Sequence, residues 1–241
     1  MKKIVIANNK GGVAKTTTAY NLASYYAKKG KRILVIDCDP QGNLTDALGV
    51  DPNEVDCTIF NALMKRNIKE AIIKLPQAEN FYLVPSNLES ERVNINLSSQ
   101  LNRESVLRKI LKEVEDEFDM CIMDTSPSLS ILTLNAIVAA DSIYLTLRSG
   151  YFELRGAGLL ISTINEIKED LNDKNFRGGL YYAGGLGTQI GPISIEALYE
   201  RSNLRYDKVN LGNINRNNIS TLNNFKKTKD NINTVGVRVG Y

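Results

Sequence analysis

Residues 8–18, NNKGGVAKTTT, set two glycines and two lysines between the apolar run KIVIAN (3–8) and the stretch TTTAYNLASYYAKKG (16–30), which has helical periodicity. Strand, glycine-bearing turn and helix in that order constrain the chain strongly, because the first amides of a helix have no intrahelical partners and carry a partial positive charge. An anion is stabilised there without help from any side chain. Gly11 and Gly12 let the backbone curl tightly, Lys15 is spaced to reach the outer phosphates of a nucleotide, and the Thr16 hydroxyl is placed to ligate Mg²⁺. The loop departs from the spacing G-x-x-x-x-G-K-[ST] at both glycines, where Asn9 and Ala14 stand. At Ala14 the backbone decides the consequence. With a negative φ the methyl costs little, and with φ > 0 or a close phosphate a glycine would serve better. The expectation is that alanine is tolerated and that the loop still binds the phosphates of a nucleotide.

Four more strand-like runs follow, RILVID (32–37), FYLVPS (81–86), DMCIMD (119–124) and SIYLTL (142–147), with helical patterns before and between them. In 16–30 the pattern turns Leu22, Tyr25 and Tyr26 to one face and ends at Gly30. RESVLRKILKEVEDEF (103–118) reads as a second crossover helix with Val106, Leu107, Ile110, Leu111 and Val114 inward. This alternation predicts a three-layer α/β/α fold with a mostly parallel, twisted sheet, and the phosphate loop after its first strand makes that the P-loop NTPase type. At 241 residues one domain, 1–241, is the expectation. Beyond about residue 178 the pattern loosens. GGLYYAGGLGTQIG reads as strand and loop, PISIEALYERSN (192–203) as a helix opened by Pro192, and DKVNLGNI (207–214) as a last strand. Ten asparagines in 203–233 weaken both propensities and read as a tail without regular structure.

The chain has no histidine, which removes Ser-His-Asp and Cys-His catalysis and most zinc sites. Chemistry is left to carboxylates, lysines, backbone amides and a hard metal. Asp37 and Asp39 end one strand, on one side of it by the period of two, and Asp124 ends another. Carboxylates at strand ends beside a phosphate loop suit Mg²⁺, with Asp124 holding the metal through water and Asp39 orienting or activating an attacking water. Charge is uneven: residues 1–173 carry 20 basic and 23 acidic side chains, whereas 174–241 carry 10 and 4. A basic final third suits a polyanion. No apolar run reaches the ~18 residues that span a bilayer, no secretory leader precedes the first strand, and Cys38, Cys57 and Cys121 are few and widely spaced, so a cytoplasmic location is expected.

Four segments, KGGVAKTT (10–17), DCDPQGNLT (37–45), DMCIMDTSPSL (119–129) and LTLNAIVAAD (132–141), resemble the deviant Walker A, Walker A′, Walker B and following helix of ParA-type (Soj-like) partition ATPases. These belong with the MinD and nitrogenase iron-protein-like ATPases, and DPQGN favours the ParA branch. The resemblance spans about residues 1–170. It implies an ATPase with Mg²⁺ and ATP, nucleotide contacts from Lys10, Gly11, Gly12, Val13, Ala14, Lys15, Thr16 and Thr17, metal contacts from Thr16, Asp39 and Asp124, and catalytic roles for Lys10, Lys15 and Asp39. It further implies that Lys10 reaches across an ATP-sandwich homodimer to the partner's nucleotide, and that Gly11 must be small for the subunits to approach. ATP-bound dimers of the family bind DNA nonspecifically, over the nucleoid, until a ParB-like centromere-binding or other activating protein stimulates hydrolysis.

Ser126 stands where the family often has proline, the proline near the adenine has no counterpart, and 178–241 matches poorly. The chain also starts at its first strand, without the helix-turn-helix of larger ParA proteins, so operator-specific DNA binding is not expected. Candidate DNA contacts are Arg201, Arg205, Lys208, Arg216, Lys226, Lys227 and Lys229. A MinD-like membrane- or cargo-positioning ATPase is the alternative. It would need an amphipathic terminal helix, and NTVGVRVGY (233–241) reads as strand or tail, so stable membrane association is not expected. An iron-protein-like reductase would need cysteines at a dimer interface, whereas Cys38 and Cys121 fall inside strand motifs. A nucleotide-binding interaction module without hydrolysis is the remaining reading.

Overall fold

A computed structural model describes residues 1–147, single helical positions at Ser162 and Glu166, and the strand backbones at 179–190, 193–201 and 234–240. Its centre is the set of strands that the apolar runs predict: β1 (Lys2–Ala7), β2 (Ile33–Cys38), β3 (Ile73–Lys74), β4 (Phe81–Val84), β5 (Met120–Thr125) and β6 (Ser142–Leu147), followed by β7 (Gly179–Ile190), β8 (Ile193–Arg201) and β9 (Thr234–Gly240). Among the described residues they form one sheet in the order β3-β4-β2-β5-β1-β6-β7-β8-β9. The six strands from β4 to β7 are parallel, and β3, β8 and β9 are antiparallel additions at the two edges. Central parallel strands are buried on both faces, which is why β2 reads as an unbroken apolar run up to its acids.

Two apolar layers cover the sheet. On one face lie Ile4, Ile6, Ile33, Val35 and Ile122 with helix α1 (Lys15–Lys28) and the short α2 (Asn43–Ala47), which contributes Leu44. On the other lie Val5, Ala7, Leu34, Ile36, Cys121 and Met123 with α3 (Ile59–Lys65), α4 (Val93–Asn96), α5 (Val106–Ile110) and α6 (Ile131–Ala139). The three-layer arrangement is therefore the one the sequence predicts.

Three expectations need correction. The face of α1 that meets the sheet is the alanine stripe Ala19, Ala23 and Ala27, whose small side chains let the helix approach closely. Leu22 and Tyr26 pack at its margin, and Tyr25 stands 56% exposed with the Lys29 ammonium 5.6 Å from its ring centre. The 103–118 stretch is broken rather than continuous, with 3-10 turns at Arg103–Ser105 and Leu111–Val114 flanking α5, although all five predicted apolar residues are buried. Residues 193–201 are strand β8, not a helix. Their ISIEA start alternates apolar and polar residues, and pairing with both β7 and β9 outweighs the helix propensity of EALYER. The expected strand at 207–214 lies outside the described residues, and 234–240 is a strand.

The start of α5 has a visible cause. Asn135 on α6 is fully buried, accepts from the Leu107 amide at 3.0 Å, and donates to the Arg103 carbonyl at 2.8 Å and the Ile131 carbonyl at 2.9 Å. One amide side chain thus fixes where α5 begins and docks it on α6. Asn135→Leu, which keeps the branched outline but is larger and has no polar atoms, is expected to strand the Leu107 N–H and the Arg103 carbonyl and to lower stability by about 3 kcal/mol. Urea denaturation should show the loss as a reduced midpoint at an unchanged slope.

Candidate nucleotide site

The loop after β1 is shaped mainly by its own backbone. Asn8 anchors its start: the side-chain oxygen accepts from the Lys10 amide at 3.0 Å, while the side-chain nitrogen donates to the Thr146 carbonyl at the end of β6. Gly12 takes φ +67°, Val13 is buried, and Ala14 takes φ +62° directly before α1. The question about Ala14 therefore has the second answer, a left-handed backbone, which an L-residue other than glycine enters at a cost of about 1–2 kcal/mol. Gly11 differs from Gly12. Its φ is not in the left-handed region, and a Cβ there would meet nothing within 4 Å.

Lys15 is the first residue of α1 and is almost wholly buried. Its ammonium donates to the Lys10 carbonyl at 2.8 Å, so it folds back over the loop. Burial lowers its pKa, and the charges of Asp124 and Asp39 partly oppose that. The next residue, Thr16, donates its hydroxyl proton to Asp124 Oδ2 at 2.6 Å. Asp124 ends β5, which lies between β1 and β2 and pairs Asp124 with Ile6 on one side and Asp37 on the other. Lys15, Thr16, Asp124, Asp37 and Asp39 thus gather at the carboxyl ends of three adjacent strands, where open α/β sheets bind ligands. Thr17 is exposed on the first turn of α1, and Lys10 is half-buried.

The two strand-end acids of β2 have different environments. Asp39 lies just beyond the strand; its Oδ1 accepts from the Gln41 amide at 3.0 Å and its carbonyl from the Gly42 amide at 3.0 Å, closing a tight turn. Asp37 is sealed off. Its Oδ1 accepts from the Asp39 amide at 3.0 Å, and its Oδ2 accepts from the Thr45 amide at 2.9 Å and the Thr45 hydroxyl at 2.8 Å. The Thr45 oxygen accepts in turn from the Ser86 amide at 3.0 Å, after β4. Thr45 and Ser86 went unnoticed in the sequence; the only signal was a threonine closing DCDPQGNLT, eight positions after the acid it serves.

Burial dominates the electrostatics. Loss of water raises Asp37 to about 6 and Asp124 to about 7, against 3.8 for a free aspartate, and mutual repulsion among the acids adds to the rise of Asp124. Cys38 and Cys121 are buried in β2 and β5, and their thiols are pushed up, Cys121 to about 12, so they stay protonated and behave as small apolar groups. Among the described residues no three His, Cys, Asp or Glu side chains lie close enough to cage a metal ion. The local donors are hydroxyl and carboxylate oxygens, a set that suits a hard cation completing its shell with phosphate and water. A threonine whose proton goes to Asp124 keeps its lone pairs for such a cation.

The sequence profile of a family described as an AAA domain matches residues 1–176. The chromosome-partitioning ATPase Soj of Treponema pallidum is 35% identical over 75% of this chain and 70% of its own length. The sporulation initiation inhibitor protein Soj of Bacillus subtilis is 36% identical over 81% of this chain and 78% of its own. The chain belongs to the ParA/Soj family of P-loop ATPases. Among solved structures, a cobyrinic acid a,c-diamide synthase from Mycobacterium smegmatis with bound ADP and magnesium superposes with a TM-score of 0.70 at 31% identity, over 76% of this chain and 74% of that one. Of the expected DNA-contacting residues, Arg201 lies in β8, and Arg205, Lys208, Arg216, Lys226, Lys227 and Lys229 lie outside the described residues. No helix among the described residues is long and apolar enough to cross a membrane.

Two outcomes follow from this geometry. Ala14→Gly relieves the left-handed strain but gives the unfolded chain more freedom, so a net stabilisation of up to about 1 kcal/mol is expected in chemical denaturation. For Asp37 and Asp124 the native pKa lies above the unfolded one. Their contribution is therefore fully present below about pH 4 and is lost as pH rises through 6 to 7. Metal-free protein in EDTA should melt roughly 5 °C lower at pH 8 than at pH 5.5, and Asp124→Asn should flatten that slope.

Proposed function

We propose that this chain is a ParA-type ATPase of DNA partitioning that binds and hydrolyses Mg-ATP, dimerises around the nucleotide, and binds DNA nonspecifically in that state. The observation that carries the reading is the convergence of Lys15, the Thr16–Asp124 pair and Asp39 on the amino end of α1. Backbone amides of residues 10–17 would cradle the phosphates, and Lys15 would exchange the Lys10 carbonyl for phosphate oxygens. Thr16, Asp124 through water, and Asp39 would hold Mg²⁺, which when bound neutralises phosphate charge. Asp39 would orient the attacking water, and transfer to water then depends on positioning and charge, for which no histidine is required.

Dimerisation gives a reason for Gly11, which the described residues of one subunit leave unexplained. Gly11 is exposed, and neither backbone conformation nor space within the chain calls for glycine there. A second backbone approaching that point would. Lys10 sits beside it and would supply a positive charge to a nucleotide in the partner subunit, where a cation held away from bulk water is most effective. A ParB-like protein or another activator of the same kind would then trigger hydrolysis and release, and the basic final third of the chain would meet DNA phosphates.

Size-exclusion chromatography with and without ATP on wild type and Lys10→Ala tests the proposal. Wild type is expected to shift to a dimer with ATP and the variant to stay monomeric; identical profiles would overturn the sandwich. DNA affinity of the ATP-bound form should fall by at least tenfold as salt is raised from about 50 to 200 mM, with little dependence on sequence.

A further inference from the structure

Asp39 is the residue to which the ATPase reading gives the attacking water, yet the hydrogen bonds of its turn run to Asp37 and within the turn itself rather than to the phosphate loop. What holds the turn lies behind it. Asp37 collects the Asp39 amide on one carboxylate oxygen and the Thr45 amide and hydroxyl on the other. Thr45 Oγ1 passes the connection to the Ser86 amide, and the Ser86 hydroxyl donates to Ser90 Oγ at 3.0 Å. Asp37, Thr45, Ser86 and Ser90 are all fully buried, so none of these bonds competes with water.

The same segment blocks the turn sterically from the other side. Gly42 has φ +66°, and a Cβ there would lie 3.0 Å from both the Ser86 carbonyl oxygen and Pro52 Cγ. The backbone after β4 therefore touches the Asp39 turn at two points, through Thr45 and through Gly42. We propose that Thr45, clamped between the Asp37 carboxylate and the Ser86 amide, is a positioning residue that sets Asp39 for hydrolysis without touching nucleotide. This rests on the ATPase reading and adds to it a residue outside the phosphate loop. A threonine suits the place because its hydroxyl donates to one group and accepts from another while its methyl fills a dry pocket.

The test compares wild type with Thr45→Val, which keeps the shape and loses the hydroxyl, and Thr45→Ser, which restores it. ATP turnover, KM, ATP affinity and backbone hydrogen exchange over residues 39–45 are measured, with thermal melting as the control for folding. Thr45→Val is expected to lower kcat by about tenfold or more, to leave KM and ATP affinity within about threefold, and to speed exchange at 39–42 by about tenfold. Thr45→Ser should return all three to near wild type. A Thr45→Val protein that melts cooperatively and hydrolyses ATP at the wild-type rate, or whose exchange at 39–42 is unchanged, overturns the proposal. If Thr45→Val fails to fold, Thr45→Cys carries the comparison, because it keeps the volume with only a weak donor; it should fall between wild type and loss. Should wild type itself not hydrolyse ATP, the ATPase reading falls, and the exchange rates alone decide whether Thr45 holds the turn.

Discussion

Two carboxylates buried side by side set the terms for one end of this molecule. Asp37 and Asp124 are register partners on β2 and β5, both without solvent exposure. Each must gather donors or give up its charge, because a bare carboxylate in a dry interior costs several kcal/mol. Asp124 takes the Thr16 hydroxyl and the Thr125 amide, and so ties β5 to the first turn of α1. Asp37 takes three donors from the segment that follows its own strand, and so folds that segment back into the turn carrying Asp39. The helix that presents the loop and the turn that presents the outer acid are thus both positioned by acids that do not themselves face solvent.

The arrangement also explains why the acids lie within reach of a cation without forming a cage. Donors spent on Asp37 make it a structural group, leaving Thr16, Asp124 and Asp39 as the oxygen set at the loop. A site of that kind binds metal weakly by itself and more firmly when a phosphate supplies further oxygens. Metal and nucleotide would then arrive as a unit, and a cation beside Asp124 would oppose the burial, and the smaller repulsion from Asp37 and Asp39, that raise it to about 7.

Much of this was legible in the sequence where one local rule decides the outcome. Strands β1, β2, β4, β5 and β6 announce themselves as apolar runs, and the lysine, threonine and strand-end acids that the sequence singles out come together at one end of the sheet. The rest depended on partners distant in sequence. Thr45 meets Asp37 and Ser86, and Asn135 meets residues 103–107, through contacts that periodicity does not carry. Tyr25 shares the apolar spacing of Leu22 yet faces outward, because a helix lying on a sheet is brought closest by its smallest residues, here Ala19, Ala23 and Ala27. Residues 193–201 satisfy helix propensity and strand alternation at once, and only their position between β7 and β9 chooses between them.

The loop shows how backbone and side chain divide the work. Gly12 and Ala14 both lie in the left-handed region and flank Val13, whose side chain is buried. A buried anchor between two left-handed residues gives a curl with little freedom to open. Glycine at both positions would adopt the curl with less strain but would enlarge the unfolded ensemble, and alanine at one of them exchanges some strain for less entropy loss on folding. The same curl returns the chain so that the Lys10 carbonyl meets the Lys15 ammonium. Loop shape is therefore set by contacts within the chain, the buried valine between two left-handed residues and the Lys15–Lys10 bond that closes the curl.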